Sequence, residues 1–265
     1  MHTPLVNAPS TSAMPGGLLA IANPLRWRIL RELARSDRRV NELTVLIGEP
    51  QNLVSYHLRE LRDSGLVSAR RSSFDGRDSY YRMHRERFAE VLCAAATSLD
   101  PGLRLDIAAF ETGPVRGPRR RVMFLCTGNS SRSQMAESLL ELLAGNAIEA
   151  HSAGSNPRPI DPMAVRVMAA RGIDISANTS KHLAKFSRSR FDQVVTLCDK
   201  VREVCPEFPG SPEAIHWSIP DPSLTTGTEE ERYAAFESVA ADLEVRINHL
   251  IAQLVMSEGE TTNVR

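Results

Sequence analysis

The chain has 265 residues, 42% of them hydrophobic and 24% charged, with 32 basic and 32 acidic side chains that cancel. The length accommodates two domains, and the apolar share supports packed cores while offering no run long enough for a membrane-spanning helix. Four cysteines and no signal peptide point to a reducing, cytoplasmic setting. The two halves differ in charge: residues 1–118 carry sixteen arginines and no lysine against thirteen acids, residues 119–265 sixteen basic against nineteen acidic side chains. The first half is therefore mildly basic, which is compatible with a nucleic-acid partner.

Residues 1–17, rich in Pro, Ser, Thr and Gly, read as a loose tail. A first folded region, 18–99, opens with Leu25, Ile29, Leu30 and Leu33 as one helical stripe after Pro24, and Leu43, Leu46 and Ile47 mark a second, short helix. The turn Gly48-Glu-Pro50 leads into a helix from Gln51 to Ser64 with Val54, Leu58 and Leu61 inward and Gly65 as its stop. Leu66 to Arg71 and Ser79 to Met83 form two strands joined through Asp75-Gly76, and Arg87 to Leu99 a terminal helix. Helix, short helix, turn, helix and hairpin make a mainly α winged helix-turn-helix. Residues 100–118, with Thr112-Gly-Pro-Val-Arg-Gly-Pro118, read as a linker.

In the second region, 119–257, the apolar run Val122 to Leu125 reads as a buried strand. It is followed by Cys126-Thr-Gly-Asn-Ser-Ser-Arg132, and a helix is expected from about Ser133, because Met135, Ala136, Leu139, Leu140 and Leu143 recur at helical spacing. A loop between a strand end and a helix start aims backbone N–H groups and the positive helix end at one point. Thr127, Gly128, Asn129, Ser130, Ser131, Arg132 and Ser133 thus form a cup for a tetrahedral oxyanion, with Gly128 and Asn129 the residues best able to take positive φ. Arg132 offers a planar fork for two oxygens of phosphate or arsenate, and the same field favours thiolate at Cys126, an activated nucleophile. Further on, Ala214 to Ile219 reads as a strand. The last helix carries Tyr233, Phe236, Leu243, Ile247, Leu250 and Leu254 on one face behind a Thr228/Glu231 capping box, and 258–265 is a loose tail.

The first half resembles the arsenic-repressor family of transcription regulators over about Leu18 to Leu99, through Val54-Ser-Tyr-His-Leu58-Arg-Glu-Leu61-Arg-Asp-Ser-Gly65-Leu-Val67 and Tyr80-Tyr-Arg82. The resemblance implies operator DNA as partner, a homodimer through the terminal helix, and a recognition helix from Gln51 to Arg62. Gln51, Asn52, Ser55, Tyr56, His57 and Arg59 would face bases or phosphates, with Arg70, Arg71 and Arg77 of the wing neutralising phosphates. The Cys-x-Cys pair that this family often uses for arsenite is absent from Val40 to Glu49, and Cys93 is the only thiol of this half, so the inducer is open.

The second half resembles the low-molecular-weight tyrosine phosphatases, and within that fold the thioredoxin-coupled arsenate reductases. The matches are Cys126 to Glu137, Ser152-Ala-Gly154, Gly172-Ile-Asp-Ile-Ser176, Val194-Val-Thr-Leu-Cys198, Cys205-Pro206, His216-Trp217 and Asp221-Pro222. The resemblance implies an α/β domain with a four-stranded parallel sheet flanked by helices and the cup at the strand carboxyl ends. It makes Asp221 the general acid and assigns Cys126, Cys198 and Cys205 to a thiol relay from arsenate to arsenite. The relay ends in a Cys198–Cys205 disulfide that thioredoxin, or another thiol, reduces; no bound cofactor is implied. Some family members hold potassium through residues matching Asn129, Glu137 and Ser152. The fourth ligand, an aspartate, matches Lys181 here; lysine cannot ligate a cation, so no metal site is expected. Two other readings remain: a phosphatase, which needs only one thiol, and a regulator whose second half senses oxyanions or redox state without catalysis.

Overall fold

The computed structural model describes residues 14, 16–74, 76–103, 119–204 and 214–256. The chain divides into two compact units, an N-terminal one and a C-terminal one to which the wing segment Arg71–Ser79 also belongs. Most of the tails expected at 1–17 and 258–265 and of the linker at 100–118 lie outside the described residues, as does Cys205.

The N-terminal unit begins with helix α1 (Gly16–Ile21). Its start falls within the tail expected at 1–17, because two glycines hide a turn whose stability comes from Ala20 and Ile21 entering the core. Helix α2 (Pro24–Arg35) starts where Asn23 Oδ1 accepts the amides of Leu25 and Arg26 at 3.0 and 3.1 Å, with Pro24 needing no donor in the first turn. It buries Ile29, Leu30 and Leu33. A two-residue strand, β1 (Arg38–Arg39), is too short to leave a periodic signal.

Helix α3 (Val40–Ile47) ends at Gly48, whose φ of 74° closes it. Leu43 and Ile47 are buried but Leu46 is exposed, so the second stripe is narrower than expected. Helix α4 (Gln51–Asp63) buries Val54, Leu58 and Leu61. Strands β2 (Val67–Arg71) and β3 (Ser79–Met83) form the wing, in the order β1-β3-β2, with Arg38 opposite Tyr81. Helix α5 (Arg85–Leu99) starts two residues before the expected Arg87.

In the C-terminal unit, β4 (Arg120–Cys126) is followed by α6 (Arg132–Ala144), β5 (Ile148–Gly154), α7 (Pro162–Ala169), β6 (Gln193–Thr196), α8 (Asp199–Val204), β7 (Ile215–His216) and α9 (Glu229–Met256). The sheet has four parallel strands in the order β5-β4-β6-β7. Residues 122 to 126 of central β4 are buried, as a strand covered on both faces requires. Registers Cys126↔Gly154 and Leu125↔Thr196 bring three strand ends to one edge. Helix α6 starts at Arg132, one residue before the sequence reading placed it.

Strand β7 is shorter than the expected 214–219: Trp217 still donates to Thr196 O at 2.8 Å, but Ile219 N turns back to Trp217 O, and the chain leaves the ladder. Before α9, Thr228 N donates to Glu231 Oε2 and Glu231 N to Thr228 Oγ1, the reciprocal cap read from the sequence. Phe236, Leu243, Ile247 and Leu250 then enter the core formed with β4 and α6. No helix among the described residues is long and apolar enough to cross a membrane.

Candidate active site

Cys126 ends β4 with 1% of its surface exposed. The loop from Thr127 to Ser131 has to curl back within six residues to start α6. It does so at Asn129, whose φ of 45° makes it the only non-glycine residue with positive φ among those described. Gly128, expected to share this role, does not have positive φ. A Cβ there would stand 2.9 Å from Ser130 Oγ, a hydroxyl that can rotate away.

The carbonyls of the loop are taken from outside. Thr127 O accepts the Asn156 amide at 2.8 Å, Gly128 O the Arg158 amide at 2.9 Å, Ser130 O the Asp161 amide at 2.9 Å, and Asn129 O the Ser180 hydroxyl at 2.7 Å. With each carbonyl held outward, the amides are left for the interior of the curl. The Asn129 amide donates to Cys126 Sγ at 3.2 Å, and Ser133 Oγ lies 3.0 Å from the same sulfur. Gly154 lets β5 come this close: a Cβ there would sit 2.6 Å from Thr127 O.

Asn129 is also the hub of a buried brace. Its Nδ2 donates to Ser133 Oγ and to Ser152 Oγ, both at 2.8 Å, and its Oδ1 accepts from the Lys181 amide at 2.7 Å and from Gln134 Nε2 at 3.1 Å. Ser152 Oγ donates to Glu137 Oε2 at 2.6 Å, and Lys181 Nζ lies 2.9 Å from both Glu137 oxygens. The residues matched to a cation site are thus joined by an ammonium–carboxylate pair. Gln134, which also donates to Thr179 O, was not picked out from the sequence, because a helical glutamine carries no signal of its own.

Arg132 is the first residue of α6 and is 4% exposed. Its Nη1 donates to Ile219 O at 3.1 Å and its Nη2 to Asp221 Oδ2 at 2.6 Å, while its buried Nε has no partner among the described residues. Asp221 Oδ1 meanwhile accepts from Ser223 N at 3.2 Å, and so caps a short 3-10 turn, Pro222–Leu224, and from Ser223 Oγ at 2.7 Å. The turn and the arginine contact coexist, one on each carboxylate oxygen.

Leu197 and Cys198 are both buried between β6 and α8, and Cys198 Sγ lies 3.3 Å from Thr127 Oγ1. Burial pushes its pKa up; the Arg132 guanidinium opposes that, the Cys126 thiol adds to it, and the Thr127 hydroxyl and the Val201 amide pull it back. Cys126, Arg132, Cys198 and Asp221 are therefore gathered at one edge of the sheet, from three separate chain segments.

In the N-terminal unit, Gln51, Asn52, Ser55, Tyr56 and Arg59 are exposed on α4, with the Arg59 guanidinium 5.6 Å from the Tyr56 ring centre. His57 departs from this face: it is 8% exposed and turned inward, its Nδ1 without a partner among the described residues. Burial first, and then Arg26, lower its pKa against the opposing effect of Glu60. A neutral, inward imidazole is not available to a phosphate in this conformation. In the wing, Arg71 and Arg77 are exposed and Arg70 is half-buried.

Residues 121–259 match the model for low molecular weight phosphotyrosine protein phosphatases, and residues 23–69 that for bacterial regulatory proteins of the arsR family. The arsenate reductase of Halalkalibacterium halodurans is 40% identical over 129 residues, 49% of this chain and 93% of that protein. The arsenate reductase of Bacillus subtilis is 40% identical over 126 residues, 48% of this chain and 91% of that protein. A solved arsenate reductase in its phosphate-binding state aligns at 31% identity with a TM-score of 0.45, covering 51% of this chain and 98% of the other. The chain belongs to the low molecular weight phosphotyrosine protein phosphatase family through its second half, and carries an arsR-family helix-turn-helix in its first.

Proposed function

We propose that the chain is an arsenate reductase working by a three-thiol relay, joined to an arsenic-responsive DNA-binding regulator. The observation that carries this is a second buried thiol, Cys198, against the loop of the first: its Sγ is 3.3 Å from the side chain of Thr127, the residue next to Cys126. A phosphatase of this family needs only Cys126, Arg132 and Asp221. The similarity of the second half to arsenate reductases supports the same reading.

In this mechanism arsenate enters the cup and meets the inward amides of Thr127 to Ser133 and the Arg132 guanidinium, including the unpartnered Nε. The Cys126 thiolate attacks arsenic and an As–S bond forms; one arsenate hydroxyl departs as water, protonated by the Asp221 carboxyl once the oxyanion has taken its place on Arg132. The Cys198 thiolate then attacks Cys126 Sγ. A disulfide forms, the As–S pair stays on arsenic, and As(V) leaves as As(III). Cys205 next attacks Cys198, releasing the Cys126 thiol and leaving a Cys198–Cys205 disulfide, so two thiols supply the two electrons. A cytoplasmic dithiol donor of the thioredoxin class restores the pair.

Seven residues of α-helix span about 10.5 Å, whereas a disulfide needs Cα atoms within about 7 Å. Helix α8 (Asp199–Val204), intact in this structure, must therefore open before Cys205 reaches Cys198. The ammonium of Lys181 supplies positive charge beside Glu137, so the reaction needs no potassium ion.

For the regulator half we assign Gln51, Asn52, Ser55, Tyr56 and Arg59 to operator contacts, Arg70, Arg71 and Arg77 to phosphates, and α5 to a homodimer. His57 is excluded from direct contact by its burial. A second reading, hydrolysis of a phosphate ester, draws on the same cup, and the Cys198 variant separates the two.

Three outcomes are expected. With thioredoxin, thioredoxin reductase and NADPH, the native chain turns over arsenate repeatedly, while Cys198→Ser gives no multiple turnover and retains any hydrolysis of p-nitrophenyl phosphate; sustained arsenite production by Cys198→Ser would contradict the relay. Because burial raises the Cys198 pKa, its thiolate is scarce at neutral pH, and arsenite release in a single turnover should keep rising above about pH 8.5, where an ordinary thiol levels off; a plateau well below that pH would contradict the assignment. On duplex DNA, Arg71→Ala and Arg77→Ala should each reduce the slope of log affinity against log salt by about 0.9, and an unchanged slope in a filter-binding titration would remove the wing from the interface.

A further inference from the structure

His216 touches both flanks of the Cys198 segment. Its Nδ1 lies 2.9 Å from Thr196 Oγ1, two residues before Cys198, and its Nε2 lies 3.1 Å from Asp199 Oδ1, one residue after. Ser218 Oγ donates to the same Asp199 oxygen at 2.7 Å. All four side chains are buried, Asp199 and His216 completely. One imidazole on β7 thus bridges the end of β6 to the first residue of α8, across the two-residue span that holds the second thiol.

The energetics give this arrangement a direction. A buried carboxylate is costly unless hydrogen-bonded, and detaching Asp199 would leave buried polar groups unsatisfied on both sides. Val201, two residues on, is also fully buried, in the apolar core. When α8 opens to let the third thiol approach, a first residue held by these buried hydrogen bonds stays with the sheet. The thiol then stays in place against Thr127 while the chain beyond it rearranges.

We infer that Asp199 and His216 are positioning residues, a clamp that keeps Cys198 registered against the cup through the disulfide steps. The inference rests on the proposed relay and adds to it two side chains that touch neither arsenic nor sulfur. They act on transfer from the first thiol to the second, and leave oxyanion binding alone.

The test uses the full chain and the variants Asp199→Ala, Asp199→Asn and His216→Ala, with three readouts. Protection of Cys126 from iodoacetamide by inorganic phosphate reports the cup. The rate of Cys198 alkylation, mapped by mass spectrometry, reports the clamp, and arsenite release in a single turnover reports transfer. The two alanine variants should keep phosphate protection within about twofold, expose Cys198 to alkylation about tenfold faster, and slow arsenite release about tenfold. Asp199→Asn, which retains an oxygen for Ser218 and His216 but places an amide NH2 where Oδ2 accepts from Ser73 N and Oγ, should recover part of both rates. Native-like alkylation and arsenite release in the alanine variants overturn the clamp, as does parallel loss of phosphate protection in Asp199→Ala and Asp199→Asn, which would make the cluster merely structural. A native chain that makes no arsenite removes the proposed reduction, and the alkylation comparison still decides whether the clamp exists.

Discussion

Outward hydrogen bonding of the loop carbonyls is the constraint on which the rest of the second unit depends. Four consecutive carbonyls, Thr127 to Ser130, accept donors from Asn156, Arg158, Ser180 and Asp161. A peptide whose carbonyl is fixed outward has its N–H on the opposite side, so the concave face becomes a set of donors built before any ligand arrives. The geometry demands a left-handed residue at Asn129 and a bare backbone at Gly154, and the side chain of Asn129 then ties the loop to β5 and α6. The shape of the cup is therefore set by residues that need not touch the substrate.

The charges around the cup are arranged on the same frame. Arg132 is buried, and its ion pair with Asp221 offsets part of the cost of taking a guanidinium out of water. The pairing also brings the acid from a loop far along the chain to the rim of the cup. Lys181 and Glu137 make a second pair under the loop, where they hold it from behind through Ser152 and Asn129. The contrast between the two pairs is chemical: Arg132 keeps a donor, Nε, that has no partner among the described residues, whereas the Lys181 ammonium lies against both oxygens of one carboxylate. One pair is available to a ligand, and the other serves as a brace.

What the sequence disclosed follows from how far each signal travels along the chain. The strand–loop–helix at Cys126, the stripe and capping box of α9, and the helix-turn-helix pattern are local, written within ten to twenty residues as spacing and caps. Strand β1 and helix α1 were hidden because each is too short for a period and is held by distant partners. His57 sits among polar helix residues, yet α4 turns it inward, a rotation that a mixed stripe does not specify. The links from Thr196 and Asp199 to His216, or from Asn129 to Lys181, join residues 17 to 52 positions apart. They appear only when the parallel sheet brings its strand ends together.

Electrons constrain the chemistry as much as geometry does, since two thiols must be oxidised for each arsenate reduced. The most direct measurement is the stoichiometry of one turnover of the full chain with arsenate and no added reductant, counting arsenite and mapping disulfides by mass spectrometry. One arsenite per chain together with one Cys198–Cys205 disulfide and a free Cys126 is the predicted result. Arsenite formed without that disulfide, or the disulfide formed without arsenite, would contradict the account.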